Sequence, residues 1–346
     1  MRKIPVGILG ATGTVGQQFI RLLHDHPWFE ITSLAASERS AGKTYSDAVR
    51  WIQPGMIPEN VAAMTVQACE PNLPCRIVFS GLDASVAGEI EEEFAQAGYA
   101  VISNARNHRM RSDVPLLIPE VNPEHLALIH SQPYEKGCII TNPNCSTTGL
   151  VLALKPLFDR FGVQSLHVTT MQAVSGAGYP GVASLDIYDN VVPFIGGEEE
   201  KMMKEPHKLL GTLCNGALRE AFFPISAHCH RVPVIDGHLE SVSIRFVKKA
   251  LREDIISALT SFTASAQEYG LPSAPENPIV YFESERFPQP RLHRDLGNGM
   301  TVSVGKLMND AIFDWSFVVL VHNTIRGAAG GAILNAELAV KEGYIK

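Results

Sequence analysis

Apolar positions along this chain keep two rhythms, and the change between them divides it. In the first half, short apolar runs alternate with stretches of helical period. Ile4 to Leu9 reads as a buried strand, and Phe19, Ile20, Leu22 and Leu23 mark the helix that follows. Further strands are expected at 31–36, 76–79, 99–102 and 138–140. A helix is expected over 85–96, with Glu91, Glu92 and Glu93 on a solvated outer face. Strands and helices in alternation predict an α/β unit with a doubly wound parallel sheet. Such a sheet binds ligands beyond the carboxyl ends of its strands.

After Gly162 the runs lengthen. Residues 168–171, 241–246, 301–307 and 315–321 read as strands of a mixed or antiparallel sheet, with turns at Asp236-Gly237 and Asn309-Asp310. The proline-rich stretch 271–290 is expected to be irregular, and residues 325–340 to form one helix with a small-residue start. The division predicted is a nucleotide-binding domain of 1–144 plus 322–346. Residues 145–321 form an α+β catalytic and dimerisation domain.

The first strand runs into Gly10-Ala11-Thr12-Gly13-Thr14-Val15-Gly16 and then the helix. Strand, glycine turn and helix in that order form a Rossmann-like site, where a pyrophosphate meets the positive end of the helix. The spacing G-x-x-G-x-x-G departs from the usual G-x-G-x-x-G, and a turn that only packs helix on strand is the alternative. The second strand ends in Ser37-Glu38-Arg39-Ser40. Hydroxyls and a guanidinium suit a 2′-phosphate, which favours NADP, while Glu38 leaves NAD open.

Asn142-Pro143-Asn144-Cys145-Ser146-Thr147-Thr148-Gly149 sits between a short strand and a helix that Gly162 stops. Pro156 inside that helix predicts a kink. Cys145 falls in the first turn, where unpaired N–H groups and the helix dipole favour a thiolate, the nucleophilic form. A small buried hydrophobe is the alternative. Downstream, a hairpin at Asp236-Gly237 would set Arg231 and His238 on one face, about 13 Å apart along the strands. There a guanidinium fork and a titrating imidazole would hold opposite ends of a small molecule. Gln172 precedes a glycine-rich loop, Ser175 to Gly181, and Glu198, Lys201 and Lys204 open an acidic helix whose default reading is an exposed, salt-bridged surface. His228-Cys229-His230 lacks partners at ligand spacing, so no metal is expected.

The 346 residues allow two domains, and 45% apolar with 19% charged residues fits a soluble globular protein. A formal net charge of −7 argues against nucleic acid as a partner. Six scattered cysteines form no disulfide framework, no apolar run reaches bilayer length, and no signal-peptide pattern opens the chain. The expected location is cytoplasmic.

A reactive cysteine, a histidine, an arginine and a nicotinamide fold specify one reaction type. The thiolate attacks an activated acyl group, a leaving group departs, and hydride reduces the thioester to an aldehyde while His238 moves protons. At this point the sequence resembles the aspartate-semialdehyde dehydrogenase family, closest to its archaeal and fungal branch. The likeness runs from end to end through 10–16, 35–42, 142–149 and 230–238. The resemblance implies Cys145 as nucleophile, His238 as general acid/base and Gln172 as orienter of the acyl group. It implies Arg231 for the substrate α-carboxylate, Glu198 for the α-amino group, and Lys201, Arg109 and Asn144 for the phosphate. For NADP it implies Gly10, Thr12, Gly13, Thr14, Val15, Gly16, Ser37, Arg39, Ser40, Ser80, Gly81, Ser175, Gly176 and Asn323. It also implies inorganic phosphate as a co-substrate and a homodimer or homotetramer. The rivals are a malonyl-CoA reductase using the same Cys145 and His238, and a non-catalytic NADP-binding sensor.

Overall fold

Residues 3–214 and 216–345 are described by a computed structural model, and they separate into two units. The first holds residues up to Leu117, Glu124–Asn142 and those from Ala328 onward; the second holds Ile118–Pro123 and Pro143–Gly327. Residues 322–327 thus belong with the second unit, whereas the sequence reading grouped them with the nucleotide domain. Among the described residues no helix is long and apolar enough to cross a membrane.

In the first unit, β1 (Ile4–Leu9), β2 (Phe29–Ala36), β3 (Val66–Ala68), β4 (Ile77–Ser80), β5 (Ala100–Ser103) and β6 (Cys138–Thr141) form one sheet. Their order is β3-β2-β1-β4-β5-β6, every pairing parallel. β4, β5 and β6 are buried throughout, which is why they read as unbroken apolar runs. The order reverses between β1 and β4, the switch point where such sheets bind ligands.

The helix Ala84–Gln96 starts on Asp83, whose carboxylate accepts the Ser85 N–H at 2.9 Å. Its acidic run does not lie wholly in solvent as the sequence suggested. Glu91 is fully buried and accepts a hydrogen bond from Ser103 Oγ at 2.8 Å, with His108 Nε2 at 3.5 Å. Helical period explains this, since Ala87, Glu91, Phe94 and Ala95 share the inward face. The expected single C-terminal helix is two pieces, a π turn over Ile325–Ala329 and an α-helix over Gly330–Lys341.

The second unit holds β7 (Val163–Gln172), β8 (Thr212–Cys214), β9 (Ala217–Arg219), β10 (Ile225–Arg231), β11 (His238–Phe246), β12 (Ile279–Phe282), β13 (Val302–Asn309) and β14 (Trp315–Val321). β8 and β9 pair alone, and the rest form a mixed sheet ordered β10-β7-β11-β14-β13-β12. β12 lies inside the stretch expected to be irregular; Ile279 to Phe282 is a short apolar run that joins β13 in parallel. The hairpin expected at Asp236-Gly237 does not form. β7 lies between β10 and β11, parallel to one and antiparallel to the other, so residues 232–237 connect strands that do not pair.

The helix Cys145–Phe161 packs on one face of this sheet, with Asn144 as N-cap and Gly162, at φ +67°, ending it. Pro156 is accommodated within it. Gly149 explains how closely it packs: a Cβ there would come within 2.7 Å of Val321 Cβ.

Candidate active site

Three neighbouring strands bring three polar side chains to one level. Arg231 pairs with Gln172 across β10 and β7, and His238 lies one step beyond the Leu239–Met171 pair across β7 and β11. Paired residues share a face, so Gln172 is flanked by Arg231 and His238, whose backbones lie about 10 Å apart across two strand spacings. All three are buried. The convergence expected from a hairpin therefore arises from side-by-side strands instead.

Cys145 meets this group from the helix opposite. Its Sγ lies 3.1 Å from His238 Nε2. The other ring nitrogen, Nδ1, accepts the Ala173 N–H at 3.0 Å, so the ring proton sits on Nε2 and points to the sulfur. Burial, reinforced by the Arg231 charge, pushes His238 down to about 3, so the imidazole is neutral. The Arg231 guanidinium donates to Ala173 O at 2.8 Å. Burial pushes Arg231 down from its ordinary value, partly offset by Cys145 and Glu198. Both side chains reach this position because residue 176 has none: a Cβ there would come within 2.8 Å of Arg231 Nη1 and 3.1 Å of His238 Cε1.

Four other cysteines, Cys69, Cys75, Cys138 and Cys229, are pushed up by burial, the last three to about 12, which makes them inert as nucleophiles. Cys145 is half-buried and opens a helix. Among the described residues no three His, Cys, Asp or Glu side chains gather as a metal site.

Glu198 and Lys201 pair with each other at the start of the helix Glu198–Leu209, while Lys204 pairs with Glu200 at 2.6 Å on its exposed side. Glu198 is buried, unlike the surface acid that its sequence context suggested. Its Oε2 accepts from Asn144 Nδ2 at 2.8 Å and Gln172 Nε2 at 3.2 Å. Burial alone would raise this carboxyl, but Lys201 and those two amides outweigh it and hold the group below the usual range.

Asn144, expected at a phosphate, caps its helix, its Oδ1 accepting from the N–H groups of Ser146 at 3.0 Å and Thr147 at 3.2 Å. Asn323 and Ser175, expected at the cofactor, bond to each other at 2.8 Å, and Asn323 Oδ1 accepts the Gly237 N–H at 2.9 Å. Arg109 belongs to the first unit, where its guanidinium donates to Asn104 O at 2.8 Å. Two contributors had no signal in residue type: the Ala173 amide, and Glu205, whose Oε2 accepts the Asn144 N–H at 2.7 Å. Glu205 was traceable only through the stripe 198, 202, 205, 209 on one helix face.

In the first unit the glycine turn has the shape a pyrophosphate needs. Gly10 is left-handed at φ +74°, and a Cβ on Gly16 would strike Gly10 O at 2.2 Å, so the helix Thr14–Leu23 sits directly on the turn. Gly13 caps that helix with no side-chain hydrogen bond, leaving its first turn of amides to an anion. Ser37, Glu38 and Arg39 are exposed just past β2, Ser40 is half-buried, and Ser80 ends β4 with Gly81 next to it. This donor set fits a dinucleotide carrying a phosphate on its ribose.

Residues 5–129 match the family described as "Semialdehyde dehydrogenase, NAD binding domain", and residues 154–326 match "Semialdehyde dehydrogenase, dimerisation domain". The chain is 52% identical to the aspartate-semialdehyde dehydrogenase of Schizosaccharomyces pombe, over 98% of this chain and 99% of that one. It is 50% identical to the enzyme of Archaeoglobus fulgidus, over 99% of this chain and all of that one. The crystal structure of aspartate semialdehyde dehydrogenase with NADP from Candida albicans superposes with a TM-score of 0.92 at 46% identity, over 99% of this chain and all of that one. On fold, site and sequence together, the chain belongs to the aspartate-semialdehyde dehydrogenase family.

Proposed function

We propose that the protein reduces L-aspartyl 4-phosphate to L-aspartate 4-semialdehyde with NADPH through a thioester on Cys145, in the route to lysine, threonine and methionine. The observation that carries this reading is the 3.1 Å approach of Cys145 Sγ to His238 Nε2, with Arg231 and His238 both against Gly176. The reading includes a cytoplasmic location, which six free cysteines suit, and assembly of identical subunits as a dimer or tetramer.

The Cys145 thiolate attacks the acyl carbon, the carbon–oxygen bond to phosphate breaks, and phosphate leaves with the electron pair. NADPH, when bound, supplies the hydride that reduces the resulting thioester. The oxygen on that carbon gains charge, and His238 meets it from Nε2–H as a neutral hydrogen-bond donor. Collapse returns the electron pair to sulfur and frees the aldehyde. A proton shuttle through His238 would require Nδ1 to give up the Ala173 amide, so the donor role is the one this geometry supports. Arg231 holds the α-carboxylate as a guanidinium fork, Glu198 faces the α-ammonium, Gln172 orients the acyl oxygen and Lys201 neutralises phosphate. Thr12 to Val15 take the pyrophosphate of NADP, and Ser37, Arg39 and Ser40 take its 2′-phosphate.

The test is reduction of NADP by aspartate semialdehyde with and without inorganic phosphate. Turnover that requires phosphate is expected. Turnover with malonyl-CoA and NADPH, in place of the aspartyl substrate, would overturn the assignment. Cys145→Ser should lose turnover by at least about a thousandfold while NADPH binding, read by fluorescence, is retained. Retained turnover in that variant excludes the thioester route.

A further inference from the structure

Every polar group of residue 144, the residue before the nucleophile, is engaged. Its carbonyl accepts from the Thr148 N–H at 2.8 Å and the Thr148 hydroxyl at 3.0 Å, and its side-chain oxygen caps the helix. Its side-chain amide goes to Glu198 and its backbone N–H to Glu205. Glu198 and Glu205 are seven residues apart, two turns of one helix, and so share a face. Met202, between them on that face, takes the Thr147 hydroxyl on its sulfur at 3.5 Å. One helix thus grips the first turn of the other at three successive points.

The two carboxylates are not equivalent. Glu198 is shared among Asn144, Gln172 and Lys201, and in the reaction proposed above it must also receive the substrate ammonium. An ammonium drawing on that carboxylate weakens its hold on the Asn144 side chain at the moment Cys145 must attack. Glu205 is buried two turns away, and its Oε2 accepts from the backbone of residue 144 rather than from its side chain. We propose that Glu205 is the positioning residue of the nucleophile: it fixes the Asn144 backbone, and with it the Cys145 sulfur, independently of what Glu198 does with substrate.

This inference rests on Cys145 as the attacking group, but its first readout needs no substrate. Iodoacetamide alkylation of Cys145 is followed against pH in the full-length enzyme, alongside kcat and KM for aspartate semialdehyde. Glu205→Ala frees the Asn144 N–H; the alkylation midpoint is expected to move to higher pH as the sulfur leaves the helix axis. kcat should fall by about tenfold or more, the scale of a small misplacement of a reacting atom, with KM within about threefold of wild type. Glu205→Gln keeps an oxygen for the same N–H and should restore both readouts. Should Glu205→Ala fail to fold, Glu205→Asp, one methylene too short to reach, takes its place with the same expectations. A wild-type alkylation profile in a folded Ala or Asp variant, a loss carried by KM alone, or a Gln variant as impaired as Ala would each overturn the proposal. A wild-type enzyme that shows no NADP-linked turnover sinks the proposed reaction but leaves the alkylation result standing.

Discussion

Gly327 lies so close to Cys145 that a methyl group on it would come within 2.6 Å of Cys145 Cβ and 2.8 Å of its Cα. The preceding residue, Arg326, is buried and forks onto Glu120 with bonds of 2.8 and 2.6 Å, so this backing cannot easily retreat. Gly327→Ala must therefore push Cys145, the nucleophile proposed above. Its kcat is expected to fall by about a hundredfold, the scale of a 1 Å misplacement. Overpacking should also cost about 1–3 kcal/mol in thermal or denaturant unfolding. A variant with wild-type kcat would mean the helix start yields without consequence.

Gly176 faces the other side of the site, against Arg231 and His238. A methyl group there meets the far end of a guanidinium first, and Arg231 is the part that can move. Gly176→Ala is expected to raise KM for aspartate semialdehyde by about tenfold, with a smaller change in kcat, because Arg231, proposed above to hold the substrate carboxylate, is displaced before the imidazole is. Steady-state kinetics at saturating NADP and phosphate decide it. An effect confined to KM for NADP would assign the glycine to the cofactor instead.

His238 is held neutral, its folded value depressed from 6.5 to about 3 by burial and by Arg231. A depressed value means that protonation favours the unfolded chain. The stability contributed by the neutral ring is present above pH 6.5 and is lost as pH falls towards 3. Nitrogen NMR of labelled histidine should give a ring with its proton on Nε2, and no titration of that ring from pH 8 to 5. A half-protonated His238 near pH 6.5 contradicts the tautomer argument.

Glu91 has the opposite sign. Burial pushes its carboxyl up to about 7 against the hydrogen bond from Ser103 and the charge of Arg109. His108, 3.5 Å away, is itself pushed down by burial, so below about pH 7 the proton resides on the acid and the pair is neutral. A raised acid stabilises the fold below its unfolded value of 4.5, and that contribution is lost as pH rises through 7. Glu91→Gln keeps a neutral group of the same shape. Its unfolding temperature should match wild type at pH 5 and equal or exceed it at pH 8. A variant less stable at pH 8 than at pH 5, relative to wild type, would show an ionised Glu91 at work.

The parallel sheet is legible in the order of residues, because buried parallel strands such as β4, β5 and β6 must be apolar on both faces and stand out between helical periods. The first turn at Cys145 and the stop at Gly162 are legible too, as local backbone chemistry, whereas the Asn144 cap shows only in the structure. Tertiary structure alone decided how the second sheet is ordered. Asp236-Gly237 carries the local signature of a hairpin, but whether β7 inserts between β10 and β11 depends on contacts some sixty residues away. The same holds for Glu91, Glu198 and Glu205. A carboxylate in an acidic run reads as solvated until a distant amide or hydroxyl arrives to satisfy it, and that partner's identity is written in the fold rather than in neighbouring residues.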